Sequence, residues 1–193
     1  MIIYIHGFGS HGLGSKAKIF RNYFNSIGAN FIAPSLSYVP KLAIQTLEEL
    51  IKSYDEEIYL IGSSLGGFYA TYLSHMPEVK KVVLINPAIK PMQTLSRTLG
   101  DAPNFYDNSS FKWNKNHLEM LKQYVLDEPC RIESFMILLQ KGDELLDYND
   151  AVYKYDGAKQ IVEEGGSHSF DGVERYFDTI KEFFNIDNKY ADL

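Results

Sequence analysis

The pentapeptide Gly62-Ser63-Ser64-Leu65-Gly66 matches the pattern G-x-S-x-G. Glycine and serine are common enough that the pattern alone is weak. Its setting says more. An apolar run at 58–61 leads into it, and Phe68, Tyr69, Tyr72 and Leu73 follow at helical spacing. A strand, a sharp turn and a helix are what lift such a serine into reach of a substrate. Side chains two positions before and after the serine would collide in that turn, which accounts for Gly62 and Gly66. The Ser64 hydroxyl would then face a helix N-terminus, where backbone amides favour developing negative charge. The plain alternative is a glycine-rich turn in which Ser64 is only a helix N-cap.

A serine hydroxyl is a poor nucleophile until a base removes its proton. Five histidines are available. His168, in Glu164-Gly165-Gly166-Ser167-His168-Ser169-Phe170, lies between the last strand pattern and the last helix pattern, where the base of an α/β hydrolase is expected. His75 reads as a helix-end residue. His117 lies in an irregular stretch, and His6 and His11 belong to the first loop as structural or pocket-lining residues. An acid must orient the imidazole and stabilise its charged form. Asp143, in Gln140-Lys141-Gly142-Asp143-Glu144, holds the expected loop position, with Glu144 and Asp147 as competitors and a solvated acidic loop as the bland reading. The order Ser64, Asp143, His168 is that of the α/β hydrolases.

Gly7-Phe8-Gly9-Ser10-His11-Gly12 also matches G-x-G-x-x-G after a strand. A dinucleotide site would need an acidic residue about 20 positions on. Residues 22–46 contain no Asp or Glu, so that reading fails. The loop is better explained as half of an oxyanion hole, with the Phe8 and Leu65 amides as donors.

These loops need a frame. Short apolar runs at 2–5, 30–34, 58–61, 82–85, 135–140 and 160–163 alternate with amphipathic helical patterns, the signature of a parallel sheet covered by helices. The expected fold is α/β: about six mostly parallel strands, helices on both faces, and one domain over residues 1–193. The polar stretch from 87 to about 128 breaks the rhythm, with one helix expected near 115–123. It reads as a cap over the sheet's C-terminal edge. Its aromatics Phe105, Tyr106, Phe111 and Trp113 are candidates for a substrate pocket, with packing of the cap as the equal alternative.

Composition narrows the partners. The formal net charge is −6 over 193 residues, which argues against nucleic acid and anionic membranes. A single cysteine, Cys130, excludes an intramolecular disulfide or a cysteine metal cluster. No run approaches the roughly 18 apolar residues of a membrane span. A cytoplasmic protein without cofactor or metal is expected, and nothing sets its oligomeric state.

Ile5-His6-Gly7-Phe8 with Ser15-Lys16-Ala17, Gly62-Ser63-Ser64-Leu65-Gly66-Gly67, Asn86-Pro87-Ala88, Gly142-Asp143-Glu144 with Leu146-Asp147-Tyr148, and the His168 segment together resemble the small YqiA/YcfP-like bacterial esterases of the α/β-hydrolase superfamily. The resemblance spans nearly the whole chain and is least distinct over 92–128. It implies cofactor-free hydrolysis of carboxylic esters or acyl thioesters, with Ser64, Asp143 and His168 as triad. The expected activity is that of a carboxylesterase on small to medium acyl groups, since the cap is short. An acyl thioesterase or peptidase on the same triad is the alternative, and a binding protein that kept only the fold is the rival outside enzymes.

Overall fold

Apolar runs closed by glycine, proline or asparagine become strands here wherever helices can cover them. The computed structural model describes residues 1–187. Along the chain come β1 (Ile2–Ile5), α1 (Ser15–Ser26), β2 (Phe31–Ile32), α2 (Pro40–Lys52) and β3 (Ile58–Ser63). These are followed by α3 (Leu65–Leu73), β4 (Val79–Ile85), α4 (Pro91–Leu95), β5 (Gly100–Pro103), β6 (Ser110–Trp113) and α5 (Lys115–Lys122). The described elements end with β7 (Phe135–Gln140), α6 (Tyr148–Lys154), β8 (Lys159–Glu163) and α7 (Phe177–Phe184).

Six strands form one sheet in the order β2-β1-β3-β4-β7-β8, and every pairing in it is parallel. The central strands β1, β3, β4 and β7 are almost wholly buried, which is why they read as unbroken apolar runs rather than alternating ones. Their side chains still divide by face. Ile3, Ile5 and Leu60 pack with Ile44, Leu47 and Ile51 of α2 and with Phe68 and Leu73 of α3. Ile2, Tyr4 and Ile61 pack on the opposite side with Phe20 and Phe24 of α1 and with Ile180 and Phe184 of α7. Burying each such side chain contributes about 1.5–3 kcal/mol.

The chain leaves β1 for a helix on one face and β3 for a helix on the other. These neighbours therefore part company at their C-terminal ends and open a crevice, the usual ligand position in such sheets. The loops bearing Phe8 and Ser64 line it.

Several boundaries differ from the sequence reading. The strand expected at 30–34 contracts to Phe31–Ile32, an edge pair next to Pro34, which has no N–H to donate. β4 starts three residues earlier than its apolar run, since Val79 and Lys81 pair with Ile58 and Tyr59 of β3 across an irregularity at Lys80. The last helix opens with a 3-10 turn at Val173–Tyr176. The stretch read as irregular holds α4, an antiparallel β5–β6 hairpin and α5, and α5 matches the helix expected there. Among the described residues no helix is long and apolar enough to cross a membrane.

Candidate active site

Ser64 sits between β3 and α3 with φ 55° and ψ −121°, backbone angles that cost a non-glycine residue on the order of 1–3 kcal/mol. The neighbours enforce them. The Ser64 N–H donates to the Ile85 carbonyl at 3.1 Å, and its carbonyl accepts from Ala88 at 3.0 Å. A Cβ on Gly66 would lie 2.0 Å from the Ile5 carbonyl oxygen, and one on Gly62 would lie 2.5 Å from that of Gly66. Only glycine fits either side of the turn.

His168 and Asp143 reach this serine from the loops after β8 and β7. The His168 Nε2 lies 2.9 Å from Ser64 Oγ. Its Nδ1 lies 2.8 Å from Oδ2 and 3.0 Å from Oδ1 of Asp143. The Asp143 side chain is only 2% exposed, against 19% for His168. The amides of Leu145 and Leu146 each donate to Asp143 Oδ1 at 2.9 Å, which fixes the position of the carboxyl group. The two competing acids lie elsewhere. Asp147 caps the N-terminus of α6 through the Asn149 amide, and Glu144 accepts the His168 backbone N–H at 3.0 Å. The arrangement can move a proton from hydroxyl to imidazole while a carboxylate balances the charge.

Across the crevice, the loop after β1 is set by His6. Its Nε2 accepts the Leu36 N–H at 3.0 Å, so Nδ1 bears the proton, 2.9 Å from the Gly7 carbonyl. Burial holds its pKa below the ordinary value. Among the described residues, neither the Phe8 nor the Leu65 N–H donates to a protein acceptor. An open cavity of about 990 Å³ joins Phe8, Ser64, Leu65 and His168. Phe105 and Tyr106 are on its wall, and Tyr106 stacks on His11 at 4.4 Å. Phe111 and Trp113 instead pack behind the Phe8 ring, at 5.3 and 4.9 Å between centroids. Trp113 is fully buried and donates to the Leu95 carbonyl. His117 is buried against it in the capping box of α5, and His75 stands exposed at the end of α3.

The family model described as Uncharacterised protein family (UPF0227) matches residues 1–185. The chain belongs to UPF0227. Among curated UPF0227 members it is similar to the YcfP protein of Salmonella paratyphi A, 27% identical over 189 residues that cover 95% of this chain and 98% of the relative. A UPF0227 protein of Vibrio parahaemolyticus is also 27% identical, covering 96% and 99% of the two chains. Among solved structures, mouse alpha/beta hydrolase domain-containing protein 10 superposes with a TM-score of 0.78 at 17% identity, covering 95% of this chain and 89% of that one. Est1E of Butyrivibrio proteoclasticus, solved with ferulic acid bound, gives 0.72 at 17% identity, covering 95% and 87%. The fold of this UPF0227 chain is thus that of the α/β hydrolases.

Three polar residues of the UPF0227 chain escape a search for catalytic types. Asn86, at the end of β4, donates from Nδ2 to the Ser167 and His168 carbonyls at 2.9 and 3.2 Å and accepts the Gln140 N–H at 3.0 Å. The buried Gln140 amide accepts from Ser167 and Asp171 and donates to Glu163. Together they tie the His168 loop to the sheet. A polar residue closing an apolar strand run was the available signal for both. Lys16, at the start of α1, donates to Ser63 Oγ at 2.9 Å. Burial lowers its pKa to about 8, opposed by attraction to Asp143. Nothing in its local sequence marks it as buried.

Proposed function

We propose that this protein is a serine hydrolase that cleaves carboxylic esters of small to medium acyl groups through an acyl-enzyme on Ser64. The observation that carries the reading is the continuous hydrogen-bonded line from Ser64 Oγ through His168 to Asp143. His168 Nε2 takes the Ser64 proton as Oγ attacks the ester carbonyl, and Asp143 stabilises the imidazolium. The Phe8 and Leu65 amides hold the carbonyl oxygen as it becomes negative, each worth about 3–4 kcal/mol in the transition state. The C–O bond then breaks, the alcohol leaves with the proton from His168, and Ser64 keeps the acyl group. Water, deprotonated by His168, releases the acid by the same steps in reverse. Nucleophile, base and oxyanion donors all come from the chain, so the reaction needs no cofactor or metal. Residues 87–128, which supply Phe105 and Tyr106, act as the cap of this site.

A fluorophosphonate probe tests the reading directly. The expected result is stoichiometric labelling of Ser64 in the folded protein, with Ser64→Ala abolishing labelling and lowering kcat on 4-nitrophenyl butyrate by up to about 10⁶. Absence of labelling in folded wild-type protein would discard it in favour of a binding role.

A further inference from the structure

The Lys16 ammonium is drawn into the wall of the catalytic cavity, and the wall around it is unusual for this chain. Over its whole length the protein carries six more negative than positive charges. Yet the cavity is lined by Lys16, Lys18 and Arg97 against a single carboxylate, Glu144. None of the three cations makes an ion pair among the described residues. Glu144 is engaged by the His168 backbone. Asp143, the acid that attracts Lys16, is already held by the His168 ring and two amides. Of the three ammonium protons, one is used on the neutral Ser63 hydroxyl, which leaves two without a protein acceptor among the described residues, on the wall of a cavity that Ser64 also lines.

A partly desolvated ammonium that shares its attracting carboxylate, Asp143, with the His168 ring is unfavourable unless something supplies further negative charge. Its lowered pKa, caused by burial, is in keeping with that deficit. We propose that Lys16, backed by Lys18 and Arg97 at the mouth, forms an anion subsite that selects esters bearing a carboxylate or similar anionic group. The proposal rests on the hydrolase reading and adds the charge of its substrate. An anion seated there would take up the spare donors of Lys16, and one charge-assisted contact commonly favours a matched ligand by about tenfold or more.

Matched esters decide it. In one arm, mono-4-nitrophenyl adipate is compared with neutral 4-nitrophenyl hexanoate. In the other, 4-butyryloxybenzoate is compared with its methyl ester, so that the anion lies on the leaving group. The expected result is at least a tenfold higher kcat/KM for the anionic member in one arm, with the ratio falling about tenfold or more in Lys16→Met. No preference in either arm of the wild-type protein, or equal loss on both members in the variant, overturns the anion subsite. Binding of adipate, measured by calorimetry on wild type and Lys16→Met, reads the subsite without turnover. Adipate should bind at least tenfold more weakly to the variant, and equal affinity also overturns the proposal. Failure of the hydrolase reading itself would appear separately, as an unlabelled Ser64 and no turnover of the neutral esters.

Discussion

At the scale of single residues, the acid of the proposed triad is where geometry separates neighbours that chemistry alone cannot. Asp143, Glu144 and Asp147 are all carboxylates in one loop. Only Asp143 presents both oxygens to the His168 Nδ1, and its own oxygen is pinned by two amides. Asp143→Asn would leave the shape intact and spoil the control of the imidazole tautomer, so kcat should fall about 10⁴-fold. Asp147→Asn removes the charge from a helix cap and should leave turnover near wild type while costing at most about 1 kcal/mol. Steady-state kinetics on both variants checks the pair. A crippled Asp147→Asn beside a mild Asp143→Asn would reverse the assignment.

At the scale of elements, the His168 loop depends on two side chains from strand ends. Asn86→Ala would strand the Ser167 and His168 carbonyls and the Gln140 N–H in a largely buried place, a loss on the order of 2–4 kcal/mol. Because the loop carries His168, the base in the proposed reaction, kcat should fall by 10-fold or more with KM little changed, read from kinetics alongside a denaturant melt. Further along, Arg175 pairs with Glu163 of β8, and that guanidinium holds the Glu163 carboxyl down at about 2, below the ordinary 4.5. A folded-state pKa below the unfolded one adds stability above the unfolded value and withdraws it as pH falls through the folded value. Arg175→Met should therefore cost about 1 kcal/mol or less at pH 7, since the pair is partly exposed and screened by solvent. The difference from wild type should shrink between pH 4.5 and about 2. Urea melts across that range measure it, and a difference independent of pH would mean the arginine acts by packing.

For the whole molecule, the sheet's switch point brings together loops that no local pattern connects. The cavity between them has apolar stretches such as Leu95 and Phe105, yet Lys16, Glu144 and His11 interrupt its wall. A long hydrocarbon chain would have to lie against those groups and desolvate them, which is unfavourable. Butyryl to hexanoyl nitrophenyl esters should therefore exceed the palmitoyl ester in kcat/KM by tenfold or more. A series in which only long chains turn over would remove the preference for short ones.

Much of this protein is legible in its sequence. Strand runs, the glycines that flank Ser64 and the chain order of serine, acid and histidine are local or ordinal properties, and spacing alone carries them. Phe20 and Phe24 on α1, or Ile180 and Phe184 on α7, declare a buried face by their period. What spacing could not carry was contact between distant loops. Phe105 and Tyr106 came to the cavity while Phe111 and Trp113 turned behind Phe8, although all four lie in or beside one hairpin. Phe111 and Trp113, two apart on β6, share one face of the hairpin, whereas Phe105 and Tyr106 lie in the loop at its tip. The burial of Lys16 belongs to the same class. A lysine early in an amphipathic helix reads as solvated, and only the approach of β3 and the Asp143 loop to α1 took its ammonium out of water.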